Sequence, residues 1–184
     1  MKLIDLEKHR KVKIGFEGVA ELILSNYETA EICINANAQE LKEERTLDLE
    51  LMIPANSSYY AALGAKYVPL TGQKDLCIEV RYAEGAENYS ATLAYDKKSV
   101  FKGLPQEYLD TVLKTSMSYL SDGQIPCGKI VFNSAAYCEV GSSPVMFRVA
   151  TKIVLEALLS EHFPISESDI RAICEKHLAE RVGV

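Results

Sequence analysis

At 184 residues with 48% hydrophobic side chains, the chain can bury a core of its own, as one generous domain or a medium domain with an appendage. Twenty basic against 26 acidic side chains leave a net charge of −6, which argues against holding nucleic acid by bulk electrostatics. No apolar run approaches the roughly 20 residues needed to cross a bilayer, so no membrane partner is expected.

In chain order, Lys8-His9-Arg10-Lys11-Val12-Lys13 is the densest basic cluster, read as a solvated face or as a grip on RNA phosphates. Val19–Leu24 and Ala30–Ile34 flank the turn-like 25–29 and predict a hairpin. Residues 39–45 form a charged connector or short helix, and the strict alternation of 46–53 predicts a half-buried strand ended by Pro54. Then come strands over Leu76–Tyr82 and Tyr89–Tyr95, a helix over Pro105–Leu120, a strand from Lys129 to Phe132 or beyond, and a helix over Pro144–Leu159. Leu109, Val112, Leu113, Met117 and Leu120 share one stripe of the first helix, while Gln106, Asp110 and Lys114 face away. The second helix is apolar over a broad face and should be the most buried. A third is signalled by Ser166 as N-cap, with Asp169 three residues on, followed by the stripe Ile170, Ile173, Cys174 and Leu178. That stripe must be covered by its own domain or by a second copy. Charge follows these divisions: residues 1–65 carry 7 basic and 11 acidic groups, 66–160 carry 10 and 10, and 161–184 carry 3 and 5.

The five cysteines, Cys33, Cys77, Cys127, Cys138 and Cys174, are odd in number and widely spaced, and none forms a Cys-x-x-Cys pair with partner histidines. Free, mostly buried thiols are therefore expected, not zinc ligands or disulfides. With a charged N-terminus in place of a signal peptide's apolar core, this reads as cytoplasmic.

Three segments carry a family resemblance. Leu104-Pro105-Gln106-Glu107-Tyr108 resembles an "Ile/Val-Pro-Lys-Glu-Tyr" helix start; 120–128 (Leu-Ser-Asp-Gly-Gln-Ile-Pro-Cys-Gly) resembles "Leu-x-x-Gly-x-Leu-x-Gly"; and 137–147 (Tyr-Cys-Glu-Val-Gly-Ser-Ser-Pro-Val-Met-Phe) resembles "Tyr-His-Asp-Val-Asp-Ser-Ser-Glu-x-Ala-Phe". In this order around two amphipathic helices they resemble the fourth domain of translation elongation factor G, over about residues 66–160. A weaker match at 66–78 lacks the family's glycine-arginine insert. The resemblance implies a ribosomal-protein-like β-α-β sandwich with a left-handed crossover. It also implies RNA-contacting tip loops at Leu70–Asp75 and Ala136–Gly141. Here the glycine-rich tip is reduced to Thr71-Gly72-Gln73, followed by Lys74; Cys138 stands where the family has histidine, and Gly141 where it has aspartate.

Each chemical reading has a structural counterpart. Gly141-Ser142-Ser143 before a helix can hold an anion such as an RNA phosphate, or Ser142 or Ser143 can be the N-cap. The same run is similar to the phosphate loop of small-molecule kinases that share this fold, but a fuller glycine-rich loop and a much longer chain are absent. Cys138 is a candidate reactive thiol or a small buried hydrophobe. His9, His162 and His177 are scattered, with no nucleophile motif beside them, and no Gly-x-x-x-x-Gly-Lys-Ser/Thr occurs, so neither a triad nor a GTP site is expected.

The sequence thus predicts an α+β two-layer sandwich, a mixed sheet with two helices on one face. It divides into a β-rich segment or small subdomain (1–58), the elongation-factor-like module (59–162) and a C-terminal helix (163–184). The expected function is a non-enzymatic, translation-factor-like module without a GTPase, cofactor or metal, binding ribosome or RNA through Thr71, Gly72, Gln73, Lys74, Cys138, Gly141, Ser142 and Ser143. The alternatives are a protein-interaction module that has lost the RNA tip, self-dimerising through the C-terminal helix or holding another protein, and a small enzyme on the same fold.

Overall fold

A computed structural model describes residues 1–54, 59–70, 72–85, 87–121 and 123–180. The boundary expected near residue 58, and Thr71, fall outside them. Among the described residues a mixed sheet of eight strands is joined by three helices, in the α+β class. The strands are β1 (Lys2–Asp5), β2 (Lys11–Gly15), β3 (Glu28–Asn35), β4 (Arg45–Ile53), β5 (Tyr59–Val68), β6 (Asp75–Tyr82), β7 (Val100–Lys102) and β8 (Gly128–Cys138). The helices are α1 (Gln106–Ser121), α2 (Pro144–Leu158) and α3 (Glu167–Glu180).

The sheet order is β1-β2-β4-β5-β8-β6-β3, with β7 beside β8. The pair β6–β8 is parallel, which its crossover through α1 permits; every other pair is antiparallel. Residues 1–54 therefore supply four strands to the sheet that β5, β6 and β8 continue.

Alternation decides what each face carries. Leu47, Leu49 and Leu51 of β4, Ile78 and Val80 of β6, and Ile130 and Phe132 of β8 join the buried residues of all three helices in one core. Within it Tyr108 stacks on Phe147, with ring centroids 4.5 Å apart. α2 contributes ten buried residues and is the most buried helix. In α1 the buried face includes Thr115 and Ser116, and Met117, placed on the apolar stripe by the sequence, is 45% exposed. The stripe of α3 packs on its own chain: Ile170, Cys174 and Leu178 are buried and Ile173 is partly so.

A bulge resets β8 against β5 between Gly64 and Ala65, where Asn133 is left over in the register. Beyond it Ser134, Ala136 and Cys138 turn to the outer face, away from the helices. A second, smaller core forms there from Leu22, Tyr60, Ala62, Tyr89, Ala94, Val100, Ala136 and Cys138.

Two expected strands are absent. Val19–Leu24 holds a single 3-10 turn and joins no strand ladder, meeting the sheet through an isolated bridge from Ile23 to Ser134, while β3 pairs with β6 over eight residues. Tyr89–Tyr95 likewise forms no strand. Both segments lie over the outer face, where Leu22, Leu24, Tyr89 and Ala94 bury their side chains, and covering a sheet in this way calls for no ladder of hydrogen bonds.

The cysteine expectation is also corrected. Pairing of β3 with β6 sets Cys33 opposite Cys77 at a Cα–Cα distance of 4.1 Å, and the two form a disulfide. Cys138 and Cys174 are free and buried, and Cys127 is free and half-buried.

Candidate functional site

The two loops that would form an RNA-binding tip are not brought together. Gly72, Gln73 and Lys74 are exposed in the β5–β6 connection, beside the start of β8, where Val68 pairs with Lys129. Cys138 and Gly141–Ser143 follow the other end of β8, where Gly141 O accepts from Tyr60 N at the start of β5. An eleven-residue strand separates them, about 30 Å at ~3.3 Å per residue.

At the second loop the polar groups are used internally. Ser143 is the N-cap of α2: its Oγ accepts from Met146 N at 3.4 Å, and Pro144 follows at the first helical position, where no N–H is needed. Ser142 Oγ accepts from Cys138 N (2.9 Å) and donates to Tyr60 O (2.8 Å). Gly141 has φ 141°, a backbone that side chains disfavour. Cys138 is 5% exposed, its Sγ 3.2 Å from Ser99 Oγ. The bonds of Ser142 and Ser143 tie the β8–α2 turn to β5 and to the helix.

The most concentrated polar cluster is one the sequence did not single out. Asp48 and Glu50, two residues apart on β4, point to the outer face and are 2% and 0% exposed. Glu50 Oε1 accepts from Tyr60 Oη (2.9 Å), Thr92 Oγ1 (2.7 Å) and Leu93 N (2.7 Å). Among the described residues its Oε2 makes no hydrogen bond, and the ammonium of Lys13, register partner of Glu50 on β2, stands 3.7 Å away while donating to Ala91 O at 2.7 Å. Asp48 accepts from Ser134 Oγ and from Val19 N (2.9 Å). Burial pushes its carboxyl above the ordinary aspartate range, against the pull of those two bonds. A side chain at Gly64 would collide with Asp48 and Ser134, so glycine is needed there. The two carboxylates thus fasten the two cover segments: Asp48 holds the backbone at Val19, Glu50 that at Leu93. Each accepts hydrogen bonds both from the sheet and from the segment it anchors, an arrangement suited to fastening.

The basic N-terminal run is dispersed: Arg10 pairs with Glu175 of α3, and Lys13 is committed to Glu50 and Ala91. The cations that do converge lie on the helical face. Lys114, Thr115, Ser118 and Tyr119 of α1 and Arg148 and Lys152 of α2 line a groove of about 450 Å³. Lys114 pairs with Asp110 (3.0 Å) and Lys152 with Glu180 (2.8 Å). Arg148 is exposed and makes no ion pair or hydrogen bond among the described residues. Behind the groove, Glu156 accepts from Tyr119 Oη (2.7 Å) and Lys176 Nζ (2.8 Å) and lies 2.7 Å from Nε2 of the buried His177. Burial alone would raise the Glu156 carboxyl, but these hydrogen bonds outweigh it and hold it below the usual carboxylate range. That knot joins α1, α2 and α3.

Further recesses open elsewhere on the surface. One of about 420 Å³ lies between the β1–β2 ends and the start of α3, with Ile4, Ile14, Phe16, Ile165 and Ile170 in its wall. Among the described residues no helix is long and apolar enough to cross a membrane. Comparison with family models, curated proteins and solved structures gives no match for this chain.

Proposed function

We propose that the chain is a non-enzymatic, translation-factor-like module that binds RNA, on the ribosome or off it, through phosphate contacts made from its helical face. The observation that supports this reading is the α1–α2 groove, where Lys114, Arg148 and Lys152 stand around the hydroxyls of Thr115, Ser118 and Tyr119. A guanidinium with no partner among the described residues is the group best shaped to take a phosphate in two parallel hydrogen bonds, and the exposed Ser118 hydroxyl adds a neutral donor. A local patch of this kind is compatible with a net charge of −6, because phosphate contacts act within about a Debye length. The contact surface differs from that of elongation factor G: the helices take over from tip loops that lie at opposite ends of β8.

Fluorescence anisotropy of a labelled single-stranded ribosomal RNA fragment tests this. Three neutralised phosphates should give a log–log salt slope of about −2, reduced by roughly one third when Arg148 is replaced by Gln. No binding at low salt, or unchanged binding when Lys114, Arg148 and Lys152 are all replaced by Gln, sinks the proposal.

A second reading, a module for a protein partner, is favoured by β3. Among the described residues this strand ends the sheet and pairs on one side only, with β6, so its other edge offers backbone groups to an added strand. A protein that binds the triple-Gln variant as well as wild type, with no RNA affinity in either, supports it.

A further inference from the structure

The outer face at the β3–β6 edge carries four chemically active side chains in a square. Glu31 stands opposite Glu79 and Cys33 opposite Cys77 on the antiparallel pair. All four point away from the helices, because Ile32 and Ile34 of β3 pack against the main core and Leu76, Ile78 and Val80 of β6 lie within it. A disulfide that only fastened the edge strand would need no carboxylate beside it. Yet a Glu31 oxygen and the two sulfurs all lie within 4.8 Å of one another. Cys33 and Glu31 are exposed and Cys77 is half-buried, so a reductant and an ion both have access.

The geometry points to a redox-gated site for a thiophilic divalent cation of the zinc class, held by Cys33 Sγ, Cys77 Sγ and the Glu31 carboxylate, with the fourth position open to water. Tetrahedral zinc holds sulfur at about 2.3 Å and oxygen at about 2.0–2.2 Å, so its ligand atoms stand roughly 3.5 Å apart. Donors within 4.8 Å on two rigid strands reach that arrangement by side-chain rotation alone. In the oxidised chain both sulfurs are committed to each other and the site is closed. A dithiol reductant opens it: two electrons and two protons cleave the S–S bond to two thiols, and the reductant leaves as its own disulfide. Binding the cation then releases the two thiol protons.

The competing cation is already in place. Lys129 Nζ bridges Glu31 Oε2 (2.7 Å) and Glu79 Oε2 (2.8 Å). The Glu31–Lys129 pair lies at the surface, where water screens it, so an ion displaces Lys129 from Glu31 at small cost. Glu79, also bonded to Arg81 at 2.9 Å, retains Lys129 and keeps the ammonium from the metal. A chain in a reducing compartment would hold the ion; an oxidising one would lock the β3–β6 edge covalently.

The test uses the whole chain with Cys127 replaced by Ser, since Cys138 and Cys174 are buried. After reduction by a water-soluble phosphine, which takes its oxygen from water, Cd²⁺ is titrated anaerobically while the sulfur-to-cadmium charge-transfer absorption is followed; Zn²⁺ affinity is read with a competing chromophore. One equivalent should bind the reduced chain and none the oxidised chain. Cys33→Ser should weaken binding at least a hundredfold and Glu31→Gln about tenfold, with circular dichroism unchanged. Blocking the reduced thiols with iodoacetamide should abolish the absorption without any substitution. Absence of the band in the reduced chain, equal binding by the oxidised chain, or retention of binding in Cys33→Ser overturns the site; full affinity in Glu31→Gln removes the carboxylate from it.

Discussion

The two faces of the sheet are buried by opposite means. On the helical face, leucines, isoleucines and valines of β4, β6 and β8 meet three helices in one apolar core. On the outer face the cover is chain without strands, 19–24 and 89–95, over a small cluster that includes Tyr60, Tyr89 and Ala136. Irregular chain cannot satisfy its own backbone groups as a helix does, so two buried carboxylates serve as acceptors for it. One face is held by area removed from water, the other by a few hydrogen bonds whose loss leaves buried partners stranded.

If that contrast is right, the largest effect belongs to the helical face. Phe147→Ala, which removes a fully buried ring stacked on Tyr108, should cost about 3–5 kcal/mol in denaturant melts and loosen the whole chain. Glu50→Ala should cost somewhat less, about 3 kcal/mol, because Tyr60, Thr92 and Leu93 N lose their acceptor. Its signature is local: hydrogen exchange at Leu93 should rise far more than exchange in α2. Equal acceleration across the chain would erase the distinction between the faces.

Ser143→Ala, which touches neither face's interior, should cost about 1 kcal/mol and Ser143→Gly only a few tenths, read by thermal melts. RNA affinity should not move with either. A loss of affinity in both would return the β8–α2 turn to the list of contact sites.

The smallest effect is a slope. Asp48's carboxyl lies above its ordinary value of 3.8 in the folded chain, so the folded state binds a proton that the unfolded state has released, and ionising Asp48 costs stability as pH rises through that window. Glu79, Glu156, Glu167 and Glu180 are shifted the other way, and the stability they contribute is gained as pH rises toward their ordinary value of 4.5. Asp48→Asn removes the opposing contribution, and the stability of the variant relative to wild type should rise as pH is raised above 3.8, the ordinary aspartate value. Parallel curves would mean that Asp48 does not titrate in this range.

What the sequence disclosed was what neighbours along the chain decide. The helices over 106–121 and 144–158, and the β4 and β6 strands, rest on local periodicity and on Pro105, Ser143 and Pro144 at helix starts. Asp48 and Glu50 were illegible because the same apolar-polar alternation describes a strand with one face wet and a strand with both faces covered. Their burial is decided by segments some 30 to 45 positions away. The Cys33–Cys77 pair was hidden for the same reason: β3 passes over the nearer Val19–Leu24 and takes β6, 44 residues on from Cys33 at the bond. Of the candidate site, the Gly141-Ser142-Ser143 turn was legible as a helix start. The α1–α2 groove was not, since its cations come from helices whose mutual rotation no spacing reveals.

The place of β8 has a consequence for synthesis. It lies between β5 and β6, yet it leaves the ribosome after both. From the completion of β6 until residue 138 has emerged, the inner edges of β5 and β6 have no partner. At about 5–20 residues per second that interval lasts some seconds. Through it the nascent chain carries two open strand edges rich in tyrosine, alanine and leucine, and any factor that shelters unfinished sheets would find its longest opportunity there.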